Sequence, residues 1–491
     1  MTANRAIVAA AAAALAAARG LADPPAPVPA EPAPVVPAPA GRATPAAEQA
    51  PAKAGEMLFL PPPQDPPKFR LDASWDNGLW FESADKQFRV HVGGVGQVDA
   101  NWPVAPHGVY ALPGGGTNGV ENSSAIFLRR ARFRMDGSIF DQFDYMVEYD
   151  LANANNENDG LQPPSFGNLT GAPNPCNLWM QVRDVPYLGD VRAGNQVKPI
   201  GLTNNTSMAF LPFIERADNM DAFYGPFDGG FALGVSARDR TESERVTWQY
   251  GVYGPSINVF GVSLNKAVYG GRVTALPVYE GDGERLVHVG FGTLNGELVQ
   301  NQLRVRARPV LRNGPGYAVP VLVDTTNIPG SRQYTLAPEF AAVYGPFTVQ
   351  AEWAGQFLTR ATPDGGPSVG TVFYHGGYVE ALYFLTGEHQ EYDKRDGAFG
   401  RVVPRNNYHV KPGDACQTCG AWQIGVRFSY LDLNDKSIQG GQIYDWTVGL
   451  NWFLNPNMKV QFNYILERRD APQDVVHGWI NGFGIQTAYD F

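Results

Sequence analysis

No apolar run in this chain is long enough to cross a membrane as a helix. The longest, the alanine-rich stretch Ala6 to Ala18, falls short of the roughly 20 residues that a spanning helix needs, so a helical membrane protein is excluded. Cysteine is scarce. Cys176, Cys416 and Cys419 are too few for a disulfide scaffold, and no second cysteine pair or nearby histidine pair turns the Cys416-x-x-Cys419 spacing into a zinc site. Positive charge is in deficit: 38 basic against 48 acidic side chains give a net charge of −10, which removes the field that would draw the chain onto nucleic-acid phosphates. Any anion site must therefore be local. The seven histidines are scattered, and there is no P-loop, no G-x-S-x-G and no H-E-x-x-H, so neither an enzyme nor a cofactor or metal is expected.

Among the features present, an export signal comes first. Arg5, the apolar run and the small-residue ending Gly20-Leu21-Ala22 mark residues 1–22 as a signal peptide. Residues 23–67 are almost wholly Ala, Pro, Val and Glu, with a proline every two or three positions. They cannot build a core and should run extended as a periplasmic tether, able to contact the cell wall. From Phe69 onward aromatics, glycines and alternation take over, which places one domain at 69–491. In an exported chain Cys416 and Cys419 read as a local loop disulfide.

Periodicity sets the class of that domain. Trp446, Val448, Leu450 and Trp452 alternate with small or polar neighbours, Asn455-Pro-Asn457 turns the chain, and Met458, Val460, Phe462, Tyr464 and Leu466 then alternate with Lys459, Gln461, Asn463, Ile465 and Glu467. The same dyad recurs in about sixteen segments, starting near residues 88, 123, 143, 177, 190, 229, 246, 267, 286, 333, 346, 372, 421, 444, 458 and 477. Strands of ~10 residues with aromatics at the ends of an apolar band indicate an all-β fold, a 16-stranded antiparallel transmembrane β-barrel facing outer-membrane lipid. The tight turn at Asn455 to Asn457 and the long segment 387–420 fall on the periplasmic side. Connections 103–122, 154–175, 199–227 and 297–332 fall outside.

The blocks Phe127-Leu-Arg-Arg-Ala-Arg132, Asp144 to Leu151, Val191 to Pro199, Phe213-Ile-Glu-Arg216, Phe384 to Glu388, Ala421 to Leu433 and Leu450 to Pro456 together resemble the O/P-type phosphate-selective porins. The resemblance implies a homotrimeric outer-membrane channel for small anions such as phosphate. It also implies an outer loop and a long periplasmic turn folded into the lumen. A non-selective diffusion porin is the competing reading, and an adhesive barrel a more distant one.

Anion passage needs fixed positive charge, and arginine suits oxyanions because its planar fork donates paired hydrogen bonds. In an extended segment Arg304, Arg306, Arg308 and Arg312 share one face, spaced ~6.5 to 7 Å per two residues, so a phosphate could pass from one to the next. This spacing resembles the family's arginine ladder on its inward fifth loop. On an early strand Arg130, Arg132 and Arg134 face the lumen, with Asp144, Glu148 and Asp150 opposite on the next strand as compensating charge. Arg129 breaks the alternation. Strict pleating sends it outward, the resemblance places it with Arg130 in the constriction, and a bulge would reconcile the two. Arg192 and Lys198 lie on one strand face, with Arg183, Arg216 and Arg427 as further lumen cations. Two positions depart from the family pattern, with Val95 and Gln390 where arginines are expected.

Overall fold

The computed structural model describes residues 70–491 apart from 77, 107, 110–123, 153–173, 225–229, 255–265, 313–320, 410–417 and 472–477. The signal peptide, the tether and Cys416 lie outside the described residues. Cys419 is disulfide-bonded, and Cys176 is a buried free thiol.

A short hairpin, β1 (Leu71–Trp75) and β2 (Leu79–Ser83), leads into sixteen antiparallel strands. These are β3 (Phe88–Val104), β4 (Ala125–Ile139), β5 (Phe143–Asp150), β6 (Asn174–Val185), β7 (Gly189–Val197), β8 (Phe231–Arg240), β9 (Val246–Tyr253), β10 (Val268–Glu280) and β11 (Arg285–Glu297). They continue as β12 (Arg332–Tyr344), β13 (Phe347–Ala361), β14 (Gly370–Phe384), β15 (Ala421–Asp435), β16 (Ile438–Asn455), β17 (Met458–Asp470) and β18 (Gly478–Asp490). Each pairs with its neighbour in sequence. The barrel closes where β18 meets β3, from Asn481 opposite Val104 to Asp490 opposite Val95, and Gly94 exchanges backbone hydrogen bonds with the terminal Phe491.

The alternation of each strand now has a direction. Apolar residues such as Ile126, Met180, Val235, Phe340, Trp446 and Tyr464 are exposed on the outer face, while Gln97, Asn101, Gln181, Asn451, Gln461 and Asn463 are buried toward the inside. This inversion of a soluble core is stable only in lipid, where an edgeless sheet satisfies every ladder hydrogen bond. Fifteen strands begin within three residues of the positions expected from sequence. The sixteenth, β16, begins at Ile438 rather than 444, because Ile438-Gln-Gly-Gly441 lacks alternation but pairs with Asn434 and Asp435 across a tight turn. The β1–β2 hairpin was not anticipated.

Short turns dominate one end. In the three-residue connection between β4 and β5 both Phe140 (φ 54°) and Asp141 (φ 51°) take left-handed conformations, as the central residues of a turn in which the Gln142 N–H donates to the Ile139 carbonyl at 3.3 Å. Pro277, which lacks an N–H, sits where the β10–β11 register shifts between Ala275 and Val278, a bulge that removes the need for that donor.

Three connections turn inward. Residues 198–230 carry two short helices, α1 (Leu202–Asn205) and α2 (Asp218–Phe223). Glu352 on β13 accepts the N–H groups of Leu202 (2.9 Å) and Thr203 (2.7 Å), satisfying the open end of α1. Residues 298–331 form two-residue ladders, including Arg306 opposite Asp324, and pack Val305, Ala307, Leu322 and Val323 in a cluster with Phe223 and Tyr224. The third is the long turn 385–420, with a small hairpin in which Tyr392 pairs with Phe399.

Because β3 pairs with β18 directly over ten register positions, the β1–β2 hairpin is an extension of the wall and not part of the closure. Deleting residues 71–83 should leave a barrel whose electrophoretic mobility still shifts on heating, and loss of that shift would show that closure depends on the hairpin.

Candidate functional site: the lumen and its charges

The neck of the lumen is assembled from three separate pieces of chain. Glu215, in the 198–230 segment, is buried and meets three guanidiniums: Arg129 in a direct hydrogen bond from Nε, Arg130 at 3.6 Å and Arg312 at 3.8 Å. Arg129 and Arg130 both reach it because the β3–β4 register shifts there. Gln97 opposes Arg130 and Val98 opposes Leu128, so Arg129 is the extra residue of a bulge and turns inward. On α2, Asp221 binds Arg308 through Nη2 (2.5 Å) and Nε (3.1 Å), and Arg312 at 3.2 Å. Although burial pushes the Glu215 carboxyl up, Arg129, Arg312 and Arg130 together hold it well below the ordinary carboxylate range.

The four arginines of 304–312 do not form an open file. Arg304 makes a forked pair with Asp324 (2.9 and 2.5 Å), Arg306 is buried across the ladder from that same aspartate, and Arg308 and Arg312 are engaged by Asp221 and Glu215. Their alternation is real, but the carboxylates that meet them come from positions 18 to 97 residues away, which no local pattern reveals. On the early hairpin Arg132 stands opposite Asp150 (3.2 Å) and near Glu148 (3.7 Å), as the cross-strand reading expects, whereas Arg134 pairs with Asp136 on its own strand (2.6 Å). Lys198 is buried at the start of the inward segment, its N–H donating to Gly230.

Beside the neck lies a cavity of about 500 Å³. Of the thirteen basic residues singled out from sequence, Arg132, Arg134, Arg183, Arg192 and Arg216 line it. Arg192 lies flat on Trp179, its guanidinium carbon 3.7 Å from the ring centre, and donates from Nε to Gln181; it makes no ion pair among the described residues. Arg216 donates to the carbonyls of Thr203 (2.9 Å) and Thr206 (2.8 Å) and likewise has no carboxylate partner among the described residues. Burial draws its pKa down to about 10, which leaves it charged at neutral pH.

Sequence reasoning missed Arg89, Arg238, Arg240, Arg272 and Arg395 on the same cavity. Arg238 and Arg240 carried a legible signal, since their two-residue spacing puts both on one face of β8. Arg395 carried none, because it arrives on the long turn. The described lining holds ten arginines and six carboxylates, so the cavity is locally positive inside a chain of net charge −10.

A closed sixteen-stranded barrel, apolar outside and charged within, with loops narrowing its lumen, is an outer-membrane channel. The chain belongs to the family of phosphate-selective porins O and P, whose model matches residues 107–491. Among curated proteins it is similar to an uncharacterized protein of Caulobacter vibrioides, 27% identical over 86% of this chain and 77% of that protein. It is also similar to Porin O of Pseudomonas aeruginosa, 23% identical over 80% of this chain and 86% of that protein. Among solved structures, an anion-selective porin from Comamonas acidovorans aligns with 82% of this chain and 99% of its own, at 11% identity and a TM-score of 0.46.

Glu215→Gln should leave Arg129 and Arg130 without their carboxylate, Arg312 keeping Asp221, and cost about 3 to 5 kcal/mol of local stability, read as a lower thermal midpoint and noisier single-channel current. A silent substitution would show that the neck does not rely on this carboxylate. The pH response follows from the sign of the shift. With a folded pKa below the unfolded one, the contribution of Glu215 is fully present above the usual carboxylate range and is lost only as pH falls through the depressed value. The difference in current noise between the unsubstituted protein and Glu215→Gln should therefore not arise from protonation of Glu215 between pH 7 and about pH 4.5, and should persist at both.

Proposed function

We propose that this channel prefers anions and passes phosphate or related small oxyanions. The observation that carries the reading is the excess of arginine over carboxylate around the cavity, with Arg192 and Arg216 held by a ring face and by carbonyls instead of by acids. In a narrow lumen, charges within a few ångströms of the path set permeation, and those on the outside are screened over about 8 to 10 Å. Arg134 and Arg192 supply the more accessible forks, and Arg132, buried against Asp150, lies behind them on the cavity wall. Arg129, Arg130, Arg308 and Arg312, with Arg304, Arg306 and Lys198 around them, set the positive potential of the neck from behind it. Assembly as a homotrimer, export by residues 1–22 and a cell-wall contact through residues 23–67 belong to the same proposal.

The pairing of Arg304 with Asp324 and of Arg308 with Asp221 favours a second reading, non-selective diffusion, because each pair cancels charge. The two differ in phosphate block of chloride current. Arg134→Ala with Arg192→Ala should weaken that block and reduce anion preference. Arg306→Ala with Arg308→Ala, which removes buried groups, should instead lower the thermal midpoint, with a smaller effect on selectivity. Unchanged block in the first pair would favour non-selective diffusion.

A further inference from the structure

The hairpin of the long turn reaches the opposite wall of the lumen. Its tip, Lys394-Arg395-Asp396-Gly397, is tied down by several contacts: Arg272 on β10 donates to the carbonyls of Asp396 (3.2 Å) and Gly397 (2.7 Å), and Lys394 meets Glu244 at 3.1 Å. Gly397 (φ 60°) sits so close to Thr274 and Thr247 that a Cβ would lie 2.8 and 3.0 Å from their hydroxyls. The main chain of the tip is therefore fixed. Its carboxylate is not: the Asp396 side chain is half exposed to the cavity and bonds Nη1 of Arg238 at 2.8 Å.

Arg238 and Arg192 are inward neighbours on adjacent strands, since Ser236 on β8 faces Arg192 on β7 and Asp190 faces Arg238. Asp190 stands 4.0 Å from Arg238 and 3.7 Å from Arg395. Burial pushes the Asp396 carboxyl up, yet Arg238, Arg192 and Arg395 hold it below its ordinary value, so at neutral pH it is an anion facing arginines.

We propose that Arg192 and Arg238 form an oxyanion site, that the Asp396 carboxylate, bonded to Arg238, occupies the Arg238 half of it at rest as a built-in substitute for the permeating ion, and that a divalent tetrahedral oxyanion such as hydrogen phosphate displaces it. The proposal rests on the anion-channel reading above and extends it to a named site. The chemistry favours exchange of one ligand for the other. A carboxylate offers two oxygens and one charge, whereas hydrogen phosphate offers three acceptor oxygens and nearly two charges, enough to engage both guanidinium forks. Chloride has no fork geometry to match. Because Arg272 holds the backbone and not the carboxylate, Asp396 can swing away while the hairpin stays seated. Phosphate would thus open its own path, and chloride would leave it obstructed.

The test uses the full barrel in planar bilayers, with inorganic phosphate titrated into a chloride current. Asp396→Asn should lower the half-blocking phosphate concentration on the order of three-fold, the scale of one half-exposed ion pair, and Asp396→Glu should restore the original value. Arg238→Gln should raise it. An unchanged half-blocking concentration in Asp396→Asn, with anion preference intact, would overturn this site and leave the channel reading standing. Cation preference in the unsubstituted protein would overturn the channel reading itself. A measurement that needs no altered aspartate is tryptophan emission: phosphate at constant ionic strength should change it through the Arg192–Trp179 stack, and Trp179→Phe should abolish the change. No phosphate response, or one that persists in Trp179→Phe, would contradict the site.

Discussion

One buried carboxylate joins the parts that narrow this barrel. Glu215 arrives on an inward loop, Arg129 and Arg130 come from the wall, and Arg312 comes from a second loop. The inward loops bury apolar side chains in one cluster, Ile200, Phe223, Tyr224, Val305 and Leu322 among them, and are joined to the wall by further attachments. Here they are charged: Glu215 at the neck, Asp221 on α2 and Glu352 at the start of α1. Three guanidiniums meet one acid here, so the contact that holds the loops also gathers arginine inside the barrel.

That coupling explains how an acidic protein can favour anions. Carboxylates at the turns, such as Asp141 and Glu280, are screened by ions within a Debye length, whereas others, among them Glu339, Glu352, Glu380, Asp445 and Glu467, are buried inside the barrel. The cavity charges are fixed, close to the path and partly shielded from water, so they act with more weight. Arg192 illustrates the device. Seating a guanidinium on the face of Trp179 gives it a partner without neutralising it.

The barrel was legible in the sequence because its pattern is local. Two-residue alternation, tight turns and the terminal aromatics located the strands, and the family resemblance rested on the same segments. It failed where pairing substitutes for pattern, as at Ile438 to Gly441 and in the β1–β2 hairpin. The site was less legible. Alternation found the inward face of Arg130, Arg132 and Arg134, yet the direction of Arg129 depended on a bulge visible only in the register with β3. The Arg304 to Arg312 spacing could be read, but its acidic partners Glu215, Asp221 and Asp324 lie on other turns of chain. Arg395 and Asp396 reach the cavity on a long turn, and Arg272 meets them from across the lumen. Contacts of this kind are set by tertiary closure, and no window of sequence contains them.

The reversal potential of the full barrel in a potassium chloride gradient measures the sign of the effective lumen charge directly. If the arginine excess of the cavity governs permeation, the potential will take the sign of chloride movement, and raising the salt on both sides at a fixed ratio will reduce it. A potential of zero, or one with the sign of potassium movement, would contradict the claim that local lumen charge outweighs the net charge of −10.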